Sequence, residues 1–254
     1  MGLLNWIKRL LGKSSKDDVR MTVPLTPVGS IDEVISRMES IAQQLPERDG
    51  VACFNRLYLE VTRLVKDASR GHDFEDQPFL ERLDIVFANL YFRALADYEG
   101  DPGSCSRAWV PLLQERGNRR IAPIQFALAG MNAHINRDLV SAIVDTCIQL
   151  ERLPQRDSPA YRDYTYVNTL LVQAQQKVEP ELKRGFLHLL DRLLGRADDV
   201  VEIWSIARAR EAAWIQAETL WALRENPSLS ESWLLTLDRS VGFAGRGLLI
   251  DRPF

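Results

Sequence analysis

The chain has 254 residues, 46% of them hydrophobic and 26% charged, which are ordinary values for a globular protein with ample material for a buried core. Lys+Arg number 32 against 35 Asp+Glu, so the net charge of −3 lacks the basic excess of a nucleic-acid-binding protein, and no nucleic-acid partner is expected. Three Cys and three His, scattered along the chain, exclude a disulfide scaffold and a Cys-rich zinc module and restrict any histidine-based metal cluster.

Residues 1–12 are amphipathic at helical spacing. Leu3, Leu4, Ile7, Leu10 and Leu11 share one face, with Trp6 at its edge, while Asn5, Lys8, Arg9 and Lys13 share the other. This is the pattern of a helix lying in a membrane interface, so weak membrane-surface contact through residues 2–11 is expected. The alternative is a terminal helix docked on the body or on a second chain. Residues 13–29 are polar and carry Pro24 and Pro27, as a flexible or extended linker does. No run of eighteen apolar residues spans a membrane, and the start is not a secretion signal, so a cytoplasmic location is expected.

From residue 30 onward the periodicity is helical. Ser30 and Glu33 have capping-box spacing, and Ile31, Val34, Ile35, Met38, Ile41 and Leu45 then repeat at three and four. Further helices are predicted at 51–68, 77–98, 104–115, from Pro123, and at 139–151, 158–177, 180–194, 198–225 and 229–240, with a short tail element. No segment alternates between hairpin turns, so strands are not expected. The prediction is one all-α domain over 30–254: a single bundle of about nine or ten helices around a buried central helix.

That central helix is I-A-P-I-Q-F-A-L-A-G-M-N-A-H-I-N-R-D-L (121–139), which has no charged residue between Ile121 and Ile135. Gln125, Asn132 and Asn136 form an amide stripe that could orient a ligand or tie helices together. His134 and Asp138 are four apart and stack on one side of a continuous helix. Such a pair can ligate a metal or serve as a His–carboxylate acid–base pair. The plainer reading is that Asp138 caps the following helix while His134 sits at a helix C-terminus.

In L-D-I-V-F-A-N-L-Y-F (83–92), Asp84 lies among apolar residues and needs a cation, a metal or several donors. Either a core Arg pairs with it, or Asp84 and Tyr91 meet His134 in a pocket between the two helices. In F-N-R-L-Y-L-E-V-T-R (54–63), a solvated Arg56–Glu60 pair is expected. Trp214 and Trp221 make a core stripe in 206–224, with Arg208 and Arg210 near enough to meet an anion.

These segments and the ending V-G-F-A-G-R-G-L-L (241–249) resemble an uncharacterised bacterial family catalogued only as a domain of unknown function (family 5995). The resemblance runs from about Ile31 to Leu249. It is carried by Asn55, Arg56 and Tyr58, by Gln125 to Gly130, by Asn132 to Ile135, by D-T-C (145–147), and by Gly245 with Arg246. It implies an all-helical soluble fold and brings no activity or cofactor.

Three functions follow as expectations. The first is an enzyme, a metal-assisted hydrolase of a lipid-like or phosphoester substrate. His134, Asp138 and Asp84 would hold one or two divalent ions, zinc or iron, and Tyr91 would join the catalytic groups; the H-x-x-x-D pair is similar to those of helical zinc phosphoesterases. A metal-free His–Asp pair is its variant. The second is a non-catalytic protein that binds a small apolar or lipid-like ligand through Gln125, Asn132, Asn136, Arg56 and Tyr58. The third is a membrane-peripheral interaction protein delivered by residues 2–11. His72 in a polar loop and His188 on an amphipathic face are expected to stand outside any site.

Overall fold

The computed structural model describes residues 21–69, 74–177 and 206–250. Its elements are α1 (Ile31–Gln44), α2 (Gly50–Ser69), α3 (Gln77–Gly100), α4 (Val110–Glu115), α5 (Pro123–Ala133), a π-helical turn (His134–Asp138), α6 (Leu139–Gln149), α7 (Pro159–Lys177), α8 (Ile206–Leu223) and α9 (Pro227–Leu248). Because α5, the π turn and α6 run on as one rod, the described residues make eight helices and no strand. The fold is all-α, with slightly fewer helices than the nine or ten expected. The amphipathic segment 1–12, residues 13–20, the predicted helix at 180–194, His72 and His188 lie outside the described residues. No described helix is long and apolar enough to cross a membrane.

The helix starts follow local chemistry. Ser30 Oγ accepts from the Glu33 N–H at 3.3 Å, and the Glu33 carboxylate accepts from the Gly29 N–H at 2.8 Å, so one backbone donor in the first turn of α1 and one just before it are satisfied. Asp76 caps α3, and its other contacts lock the cap: its N–H donates to Asp163 at 2.6 Å and its carboxylate pairs with Arg152. The predicted helix at 104–115 is shorter than expected, starting only at Val110. Asp238 on α9 accepts from the Arg107 and Ala108 N–H groups at 2.7 and 3.3 Å and from Ser106 Oγ, which holds that stretch as a turn. Conversely, α9 runs through Gly242 and Gly245 rather than ending near residue 240. Both glycines sit where a neighbour approaches: a Cβ on Gly242 would lie 2.3 Å from the Arg107 carbonyl oxygen.

The apolar interior has two main parts. One gathers α1, the start of α2, the end of α3, α4, α5 and α9 around Trp109, Tyr91, Phe54 and Met38. The other gathers the start of α3 with α6, α7 and α8 around Trp214, Tyr164, Phe79 and Leu139. Tyr58, Met131 and Leu237 touch both. The rod α5–α6 crosses from the first part to the second, and the π turn sits at the crossing. Nine of the eleven residues of α5 are buried, as its lack of charge predicts.

Residues 21–29, in the segment expected as a linker, are extended and held against the body. Met21, Val23 and Val28 are buried, and Asn89 on α3 bonds both backbone groups of Val28, at 2.8 and 3.0 Å.

Candidate functional site

His134 begins the π turn and is 2% exposed. The turn is closed by the Leu139 N–H donating to the His134 carbonyl, five residues back. It keeps the His134 and Asp138 side chains on one side, and His134 Nδ1 lies 3.1 Å from Asp138 Oδ2. The same oxygen accepts from Trp109 Nε1 at 2.8 Å. Asp138 makes no side-chain cap on α6, so the capping reading is corrected: its carboxylate turns inward to two ring N–H donors instead. A carboxylate only accepts, so Nδ1 carries the imidazole proton and Nε2 presents its lone pair. Burial holds the His134 value below its ordinary 6.5, against the opposing pull of Asp138, which keeps the ring neutral. Nε2 is buried and has no hydrogen-bond partner among the described residues.

Aromatic rings enclose the imidazole. Phe87 stacks flat on it at 3.5 Å between centroids and 5° between planes, and Tyr58 meets it edge-on at 4.6 Å. Phe54, Trp109 and Tyr91 stand at 5.7, 5.9 and 6.0 Å. Small residues permit this density: a Cβ on Gly130, one turn before His134, would lie 2.4 Å from the Phe54 ring.

The expected gathering of Asp84 and Tyr91 with His134 does not form as a shared site. The Tyr91 ring packs near the imidazole, but its hydroxyl donates to Asn55 Oδ1 at 3.3 Å. Asp84 instead borders a cavity of about 50 Å³ whose wall includes Tyr58 and Phe87 but not His134. The two aromatic rings therefore stand between cavity and imidazole. The core-Arg pairing also needs correction: Arg210 faces Asp84 across the cavity and lowers its proton affinity, yet the two form no ion pair. Burial outweighs that influence and raises the Asp84 carboxyl from 3.8 to about 7. Among the described residues no group of three His, Cys, Asp or Glu is placed to hold a metal ion, so His134, Asp138 and Asp84 do not assemble as a ligand set.

The proposed ligand-orienting groups are mostly occupied in holding helices. Gln125 Oε1 accepts from the Ala122 N–H at 3.0 Å, and its Nε2 donates to the Leu248 carbonyl at 2.8 Å. Asn132 donates to the Val241 carbonyl at 2.9 Å and accepts from Asn136 at 3.0 Å. Both links tie α5 to the end of α9. Arg56 pairs with Glu47 rather than Glu60, whose carboxylate takes Arg63 at 3.1 Å. Of that group only Tyr58 reaches the site. Trp214 is fully buried beside Tyr161 and Tyr164, as the core stripe predicts, and Trp221 is half-buried under Arg224. The thiols of Cys105 and Cys147 are pushed up to about 12 by burial, which leaves them poor nucleophiles.

Two participants have no sequence signal of their own. Trp109 follows a polar turn and stands 29 positions from the aspartate it bonds. Phe87 looks like any other apolar residue of α3.

The chain belongs to a family of unknown function, DUF5995, whose model matches residues 31–251. No curated protein and no solved structure matches it.

Proposed function

We propose that this member of the family is a metal-independent hydrolase in which His134 acts as general base through Nε2. One observation carries the reading: Trp109 orients Asp138, Asp138 fixes the Nδ1–H tautomer of His134, and the opposite lone pair is left buried without a partner among the described residues. An imidazole so held is a base of fixed direction, able to take a proton from a water attacking an ester and to return it to the leaving oxygen. The surrounding aromatic rings favour a substrate with an apolar, lipid-like part. Tyr58 and Phe87 screen the nitrogen, so substrate entry requires these rings to move aside. A metal-assisted variant fits less well, because Nδ1 and Asp138 Oδ2 are already committed to each other and to Trp109.

The test is a panel of p-nitrophenyl acyl esters and p-nitrophenyl phosphates, assayed with and without a chelator. The expected outcome is turnover that survives chelation and falls by about 10²–10⁴ in His134→Gln, the usual contribution of a positioned general base. If no member of the panel is turned over, or if His134→Gln matches the wild type, the reading fails.

Residues 2–11 support a second, separate proposal: weak delivery of a cytoplasmic body to a membrane surface, by one short apolar face flanked by cations. Deletion of residues 1–18 should abolish pelleting with anionic liposomes; unchanged pelleting would remove this role.

A further inference from the structure

The cavity beside Asp84 is lined by five helices. Tyr58 and Thr62 come from α2, Asp84 from α3 and Arg210 from α8, while aliphatic side chains of α2, α3, α6 and α7 complete the wall. Its volume of about 50 Å³ is several times what one water needs, enough for a polar group of a few atoms.

The two charged groups are held in different ways. Arg210 is 8% exposed, and its flat face lies 4.1 Å from the centroid of the Tyr164 ring. Its Nε donates to Asn168 at 2.8 Å and its Nη2 to the Tyr164 carbonyl at 2.8 Å. The guanidinium is thus fixed from two sides, yet among the described residues it meets no carboxylate and Nη1 has no hydrogen-bond partner. Asp84 makes no hydrogen bond or ion pair among the described residues. Opposite charges facing one space of reduced dielectric attract, and the buried Arg210 charge is costly without a carboxylate partner. Here the helices hold them apart around an open volume, which is the arrangement of a site awaiting a bridging group.

The bridge must donate toward Asp84 and accept from Arg210. A simple anion would be repelled by the first, and a simple cation by the second. A carboxamide carries an N–H donor and a carbonyl acceptor side by side in one small neutral group. We propose that this cavity binds a primary carboxamide with a short aliphatic substituent, its N–H donating to Asp84, its carbonyl accepting from Arg210 Nη1, and its substituent lying on the aliphatic wall. The site goes beyond the hydrolase reading, since His134 is not part of its wall and takes no part in binding. A donor bound to the ionised carboxylate favours that form, so binding near neutral pH releases a proton from Asp84.

The experiment titrates the full chain with isobutyramide, isobutyrate and isobutylamine, read by calorimetry and by the methyl resonances of Val61 and Val167. The expected result is millimolar binding of isobutyramide, with the two charged analogues about ten-fold weaker or more. Asp84→Leu removes an acceptor without breaking any bond, so the variant should fold and lose the amide by about ten-fold or more. His134→Gln should bind the amide as the wild type does, whether or not it retains any hydrolytic activity. The proposal is overturned if isobutyramide does not bind at tens of millimolar, if either charged analogue binds as tightly, if Asp84→Leu leaves affinity unchanged, or if His134→Gln abolishes it.

Discussion

His134 is buried and Asp84 half-buried, and their stability contributions run in opposite directions with pH. The folded state holds His134 below 6.5, so the unfolded chain takes up a proton there that the folded protein refuses; this part of stability is lost as the pH falls below about 6.5. Asp84 is raised from 3.8 to about 7, with burial first, Arg210 opposing and Glu81 adding. Its stabilising share is therefore full below about pH 3.8 and is lost as the pH rises toward 7. Asp84→Asn should flatten that decline, measured as urea stability across the window; an unchanged slope would mean that Asp84 is not the group responsible. For the other residue the informative change is Trp109→Phe, which removes one of two donors on Asp138 Oδ2. The expected cost is about 1–3 kcal/mol in stability, and the nitrogen shifts of His134 should report a less uniform tautomer. The His134–Asp138 pair is legible in sequence because side chains four apart on a helix meet wherever the helix lies. Trp109 is not legible, because its bond to Asp138 exists only once the turn before α4 is folded against the π turn.

Among elements, α9 shows how a local signal is overridden. Three glycines in V-G-F-A-G-R-G read as a helix end, yet the helix continues to Leu248. Gly242 admits the Arg107 backbone, which cannot retreat because the neighbouring N–H groups are tied to Asp238. Gly245 faces Pro111 and Asn132 at ordinary contact distance, while Gly247 has open space around its Cβ position. The same substitution should thus have opposite signs along one helix. Gly247→Ala is expected to stabilise by up to about 1 kcal/mol through helix propensity, and Gly242→Ala to destabilise by about 1–3 kcal/mol or more through overpacking. Thermal melting of the two variants checks both, and equal shifts would contradict the close approach at Gly242. The amide stripe was visible in sequence, but its role depended on partners more than a hundred positions away, at Val241 and Leu248.

At the scale of the whole molecule, the helical period was sufficient to give the all-α class, because burial of one face per helix is a property of each segment alone. The division of the interior into two main parts, and the docking of residues 21–29, depend on contacts between distant segments and left no periodic trace. That docking has a measurable consequence. Removal of residues 1–29 takes Met21, Val23 and Val28 from the core and should cost several kcal/mol relative to removal of residues 1–18, at about 1.5–3 kcal/mol per fully buried side chain as an upper bound. Equal melting temperatures for the two truncations would show that the docked segment adds nothing.

The π turn has a consequence for the whole arrangement. One residue more than an α-helical turn carries sets everything after it about 100° back around the rod axis from where an unbroken α-helix would place it. Before that offset, the small and apolar residues of α5 face α2 and α9; after it, those of α6 face α3 and α8. An unbroken α-helix of the same sequence, without the π turn, would turn Leu139 and Ile143 about 100° away from the cluster they now fill. The inserted residue thus works as a fixed rotation built into a single rod, which lets one helix serve two differently oriented cores and leaves His134 at the point where the two orientations meet.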